Sequence, residues 1–152
     1  MENLIQLEVV VLKVAEITFG VAVGQVVEIL ESSGIDDSPD QPNGVRGKIP
    51  FRGEAIPVID LAEQYQLISS RESQAAPIIV IETTKGWLGI QVDSIEAVKQ
   101  LSVDQIEPLP SLIKSNIRVH SIWGLGKLAD DSVILLVRFD EILDDDEIVQ
   151  LH

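Results

Sequence analysis

Short β-branched runs recur along this chain, with little room between them for long helices. Val9-Val10-Val11-Leu12 is one such run. Thr18–Val23 alternates, which puts Phe19, Val21 and Val23 on one face and Gly20 and Ala22 on the other. Period two with β-branched residues predicts a half-buried strand. The same reading holds for Ala55–Ile59, Ile78–Ile81, Leu88–Val92 and Val133–Val137. Turn residues separate them at Ser38-Pro39-Asp40, Arg52-Gly53-Glu54, Thr84-Lys85-Gly86 and Asp130-Asp131-Ser132. Many short strands at this spacing predict a mainly β fold of barrel or sandwich type. Helix signals are brief. Asp60 and Glu63 have capping-box spacing ahead of a helix running to about Leu67. Ser102 and Gln105 repeat that spacing, and Pro108 ends the turn they would start. Ile142, Leu143 and Ile148 stand at near-helical spacing in the acidic tail.

The strand pattern also repeats. Shifted by 69 residues, FGVAVGQVVEI falls on LGIQVDSIEAV, so that Phe19, Gly20, Val21, Val23, Val26 and Ile29 meet Leu88, Gly89, Ile90, Val92, Ile95 and Val98. Shifted by 77 to 78, Gly47 meets Gly124, and Ile56, Val58, Ile59 and Leu61 meet Ile134, Leu136, Val137 and Phe139. Two similar offsets in the same order point to an internal duplication. The alternative is that amphipathic strands resemble one another. A duplication predicts two similar small β units, joined near the polar segment 68–77.

Composition narrows the function. At 152 residues the chain has the size of one domain and enough length to bury a core. It has no cysteine and two histidines, His120 and His152, which excludes thiolate chemistry and leaves little for a metal. Lys+Arg is 11 against Asp+Glu 25, a formal net charge of −14, which repels phosphate backbones and argues against nucleic acid. Aromatics are 4%, too few for a base-stacking platform. Glu2, Glu8, Lys13 and Glu16 break up the apolar start, which does not read as a signal peptide. No run of 18 uncharged apolar residues could span a membrane, so the expected location is the cytoplasm.

Enzyme templates mostly fail. There is no G-x-S-x-G elbow and no H-E-x-x-H. Gly124-Leu125-Gly126 is a fragment of a dinucleotide loop without a following helix. His120 reads as an ordinary histidine in a strand-rich linker. Asp36, Asp37 and Asp40, and Asp144–Glu147, lack the ligand spacing of a calcium loop and read as solvated surface. Arg46, Lys48 and Arg52 form the one dense basic spot, which is either ordinary surface charge or a docking point for an acidic patch on a protein partner. In PFRGEAIPVIDL, Arg52-Gly53-Glu54 reads as a tight turn, Pro57 marks an edge or a bulge, and Asp60 caps a helical turn. On physical grounds alone this stretch is a structural corner.

The stretch nevertheless resembles the CheW-like family, the adaptors of bacterial chemosensory arrays. Pro39, Pro42, Gly47, Arg52, Gly53, Pro57, Val58, Ile59, Asp60 and Leu61 keep the spacing of that family's signature. VVEIL, with Val26, Glu28 and Ile29, looks like its V-x-E-I, and Leu88–Ile95 resembles its V-G-h-h-V-D-x-V. Gly124 and Ile134–Phe139 look like its last glycine and final strand, so the likeness covers roughly residues 9–143. The sequence departs from the pattern at Ala22 for a proline, Pro50 and Phe51 for Asn-Leu, and Arg138 for an aspartate. All of these read as surface or turn positions.

The resemblance implies two five-stranded, SH3-like barrel subdomains with a few short helices, within one domain at 9–143. The transition would lie near 68–77, with 1–8 and 144–152 as terminal segments. It implies no catalysis, no cofactor and no metal. It implies a scaffold that couples the cytoplasmic tip of a chemoreceptor to the regulatory domain of a CheA-type histidine kinase, for flagellar or surface motility. The competing reading is a regulatory β domain that binds a small molecule or another signalling protein. Family positions nominate Val26, Glu28, Gly47, Arg52, Gly89 and Val92 as protein contacts. Arg52 and Glu28 are further expected to form an ion pair that fixes the tight turn against the strand carrying Glu28.

Overall fold

The computed structural model describes residues 6–31, 45–65, 67, 76–109 and 121–141. The expectations that rest on Pro39, Pro42, His120, His152, the two acidic clusters, the turn at 38–40 and the helical spacing of the tail lie outside these residues. The described chain forms β1 (Gln6–Val14), β2 (Ile17–Ala22), β3 (Val26–Leu30), β4 (Val45–Phe51) and β5 (Glu54–Asp60), then α1 (Leu61–Gln64). There follow β6 (Ile78–Thr83), β7 (Gly86–Gln91), β8 (Ser94–Ser102), β9 (Ile106–Glu107), β10 (Ile122–Lys127) and β11 (Val133–Val137).

These strands make two sheets. The first runs β3-β6-β7-β5-β4 and the second β8-β1-β2-β11-β10-β9. Neighbours are antiparallel except β5 with β7 and β2 with β11. The offsets found in the sequence carry β1, β2, β3, β4 and β5 onto β6, β7, β8, β10 and β11. They map the five strands of the first sheet onto five of the six in the second, including the single parallel contact in each, and leave only the two-residue β9 without a counterpart. The repeat is therefore a repeat of topology. It does not give one sheet per repeat, however. β1 and β2 join the strands of the second half, while β6 and β7 join those of the first. The chain changes sheet at Val23–Gln25 and at Val92–Asp93, whereas β5 and β6, on either side of 68–77, belong to the same sheet.

Both crossings are pinned. Val23–Gln25 forms a 3₁₀ turn, and the Gln25 amide donates to Asp140 Oδ1 at 3.0 Å and accepts from the Phe139 N–H at 3.0 Å. Val23, expected beside Phe19 and Val21, is instead 37% exposed, because β2 ends at Ala22 and the turn rotates it outward. At the other crossing the Asp93 N–H donates to Lys13 O, and its carboxylate accepts from the Ala15 N–H at 2.8 Å.

The core has three parts. Val10, Leu12, Phe19 and Val21 of one sheet meet Ile79, Ile81, Leu88 and Ile90 of the other in a central layer. Ile49, Phe51, Ile56, Val58, Ile78 and Val80 fill the first curled sheet, and Val9, Val11, Leu101, Ile134 and Leu136 fill the second. β1 and β6 are thus buried on both faces, which explains why they read as unbroken runs instead of alternating. Phe51, read as a surface departure, is 5% exposed inside the first sheet.

The glycines at equivalent points of β2 and β7 follow from this packing. A Cβ on Gly20 would lie 2.8 Å from Ile134 Cγ2, and one on Gly89 would lie 3.0 Å from Ile78 Cγ2 and 3.2 Å from Val58 Cγ2. Gly126 in β10 is similarly closed off by Leu101, so Gly124-Leu125-Gly126 serves packing and is no part of a nucleotide loop. Pro57 does not mark an edge. It sits opposite Lys48 inside β5, and the ladder to β7 starts only at Val58, which accommodates a residue without an N–H.

Asp60, 4% exposed, caps α1: its Oδ1 accepts from the Ala62 N–H at 2.9 Å. The helix is shorter than expected, although the Leu67 N–H still reaches Ala62 O at 2.7 Å. Tyr65 closes it, stacking on Phe19 at 5.6 Å and sharing a 2.7 Å hydrogen bond with Ser121. Burial pushes its phenol up to about 12. Asp60→Ala should cost about 0.5–2 kcal/mol in a denaturant titration, the usual range for a lost helix cap. An unchanged midpoint would show that the cap contributes nothing.

Candidate functional site

The site starts from a two-residue hairpin loop. Phe51 pairs with Glu54, and between them Arg52 and Gly53 have φ of +50° and +83°. Positive φ at both central residues is the hairpin turn that matches strand twist, and its first position is normally Asn, Asp or Gly. Arg52 therefore occupies a strained conformation that its residue type does not favour.

The loop stands at one end of the first sheet's strand order, and β3 stands at the other. The sheet curls until the two ends meet, and the charges meet across the seam: an Arg52 guanidinium nitrogen lies 3.1 Å from Glu28 Oε1. The side chains are 53% and 44% exposed, so the pair is worth only about 0.2–1 kcal/mol to stability. Two rings flank the same guanidinium. Its carbon lies 4.8 Å from the Phe51 ring centre and 5.8 Å from that of Trp87, and the two rings pack edge-to-face at 4.9 Å and 89°. Arginine over an aromatic face gains about 0.5–1 kcal/mol at exposed sites.

The basic spot divides. Lys48 and Arg52 face solvent, whereas Arg46 turns to the buried Asp60 at 3.7 Å, its side chain 24% exposed. Of the six nominated residues, Glu28 and Arg52 come together as expected. Val26 is half-buried and packs on the central core. The other three lie in the interior. Val92 is fully buried. Gly89 is buried between Ile78 and Val58. Gly47 is buried, with φ +155°, where the register shifts between Val45 and Gly47. A glycine at that bulge serves the backbone. Trp87 and the buried placement of Phe51 were missed. A β-strand pattern says that Trp87 follows a turn, but not which loop crosses in front of it.

Ile29 and Val98, at equivalent points of the end strands β3 and β8, are 44% and 59% exposed. Among the described residues no three acids or histidines gather where they could hold a metal, and no helix is long and apolar enough to cross a membrane. What the site offers is a charged and aromatic surface on a barrel seam, suited to binding another protein.

Known proteins share this arrangement of strands. The solved scaffolding protein TtCheW from Thermoanaerobacter tengcongensis superposes with a TM-score of 0.82 at 26% identity, covering 94% of this chain and 91% of that one. Chemotaxis protein CheV3 of Helicobacter pylori is 26% identical over 128 residues, 84% of this chain but 41% of CheV3, so the chain spans less than half of that relative. Chemotaxis protein CheW of the same organism is 23% identical over 128 residues, 84% of this chain and 76% of that protein. The model of the CheW-like domain matches residues 8–147, which takes in both sheets, both crossings and the Glu28–Arg52 seam: the chain belongs to the CheW-like domain family.

Proposed function

We propose that this protein is a non-catalytic adaptor that couples the cytoplasmic tip of chemoreceptors to the regulatory domain of a CheA-type histidine kinase. The observation that carries this reading is the likeness to a scaffolding protein over 94% of the chain, at a TM-score of 0.82. The reading places the protein in the cytoplasm, takes residues 9–143 as the folding unit, and needs no cofactor. Its mechanism is geometric. A scaffold that holds two partners in one relative orientation lets the conformation of one bias the activity of the other, to the extent that its contacts differ between the two states. Glu28 and Arg52 are the proposed contacts, with Val26 supporting β3 from beneath. Gly47, Gly89 and Val92 act from the interior, by holding the strands that carry the surface.

The test is co-sedimentation. Receptor-bearing membranes should carry the kinase into the pellet in the presence of this chain and leave it in the supernatant without it. Failure to bind either the receptor tip or the isolated kinase regulatory domain at micromolar concentration would sink the proposal.

A further inference from the structure

We propose that Trp87 is a positioning residue for Arg52: with Phe51 it forms an aromatic floor that fixes the direction in which the guanidinium is presented to a partner. This rests on the reading of Arg52 as a docking residue. Arginine has many rotamers, and holding one of them costs side-chain entropy. A single exposed ion pair offsets little of that. Here the guanidinium is held on more than one side. Glu28 bonds one nitrogen at 3.1 Å, while Phe51 and Trp87 lie 4.8 and 5.8 Å from its carbon. Phe51 is 5% exposed and belongs to the interior of the sheet, and Trp87 packs against the same cluster. The floor is therefore rigid, and the edge-to-face contact at 4.9 Å sets the angle between its two rings.

Two further observations favour a functional origin. Arg52 holds φ +50°, a conformation that glycine or asparagine would adopt at lower cost, and such strain tends to collect at functional sites. The pseudo-equivalent sheet also lacks the assembly. The positions matching Trp87, Glu28 and Phe51 hold Thr18, Ala97 and Leu128, and the matching turn carries Asp130 and Asp131 instead of arginine. The fold is made twice, but this cluster once. Threonine in the matching strand shows that the architecture does not require a tryptophan there.

The experiment uses the full chain with Trp87→Leu, which keeps apolar bulk and removes the ring, and Trp87→Phe, which keeps a ring. Arg52→Ala and the Trp87→Leu/Arg52→Ala pair complete the set. Two readouts are taken: the NMR resonance of the Arg52 Nε–H, which neighbouring rings displace, and affinity for the kinase regulatory domain. Trp87→Leu should shift that resonance part of the way toward the position of a free arginine, since Glu28 and Phe51 remain, and weaken binding about fivefold. It should add little in the Arg52→Ala background, and Trp87→Phe should restore most of both signals. An unmoved resonance in Trp87→Leu, or a binding loss fully additive with Arg52→Ala, would overturn the proposal. Wild-type binding by Arg52→Ala would instead remove the docking reading, while the resonance would still report whether Trp87 orients the side chain.

Discussion

Gly89→Val is expected to lower the melting temperature by roughly 2–12 °C. The first added carbon would already stand 3.0 Å from Ile78 Cγ2 and 3.2 Å from Val58 Cγ2, and valine adds two methyls beyond it. Forcing extra carbons into a closed core costs typically about 1–3 kcal/mol, and more where the neighbours belong to strands on both sides. For a chain of this size each kcal/mol shifts the midpoint by about 2–4 °C. Alanine should cost less, because Ile78 and Val58 can each give by a few tenths of an ångström. Differential scanning calorimetry on the Gly, Ala and Val series would read this directly. The opposite pattern, an unchanged midpoint with lost partner capture, would return Gly89 to the binding surface.

Arg52→Ala is expected to behave in the reverse way. The ion pair and the ring contacts are exposed, so the midpoint should fall by no more than about 1–2 kcal/mol worth of stability. Affinity for the kinase domain or receptor tip should fall at least about tenfold, in line with arginine's over-representation among residues that dominate interfaces. Glu28→Ala should produce a similar loss, since it releases the same guanidinium. The double variant should lose less than the sum of the singles. Arg52→Lys is the sharper probe. It keeps the charge but lacks the planar fork that bonds a carboxylate and stacks on a ring. Binding retained in Arg52→Lys would reduce the site to net charge. Strictly additive losses in the double-mutant cycle would mean that Glu28 and Arg52 contact partners separately.

The strands easiest to read were those buried on one or both faces. Val9–Leu12, Ile78–Ile81 and Val133–Val137 declare themselves by β-branched residues, and Arg52-Gly53 by its turn chemistry. β4, β8 and β10 were harder, for identifiable reasons. Gly47 and Pro50 interrupt β4, and Gly124 and Gly126 interrupt β10. β8 exposes five consecutive residues, Glu96–Gln100, so neither of its faces carries a clean apolar signal. Periodicity reports which face of a strand is buried, not which strand lies beside it. The exchange of β1-β2 against β6-β7 was therefore invisible. The same limit explains Gly89 and Val92. A glycine needed where side chains crowd from within looks, in sequence, the same as one needed where a partner approaches from outside. Glu28 and Arg52 were found through their likeness to a family pattern. Phe51 and Trp87 lie 36 residues apart, and only the curl of the sheet brings them together.

The exchange of strands also sets a timetable for synthesis. β1 and β2 are synthesised before the other described strands, yet their neighbours in the sheet are β8 and β11. The β1-β2 hairpin can close early through its own ladder, from Val9↔Ala22 to Val14↔Ile17. Its two outer edges must then stay open while the entire intervening sheet, β3 to β7, is made and can assemble. Such distant pairings are slow to form and leave unpaired edges available to other chains in the meantime. The first hairpin is thus the part of a nascent chain most in need of protection, and the last one completed. A chain stalled anywhere before Val133 would present β2, with Phe19 and Val21, unpaired along the side that β11 finally covers.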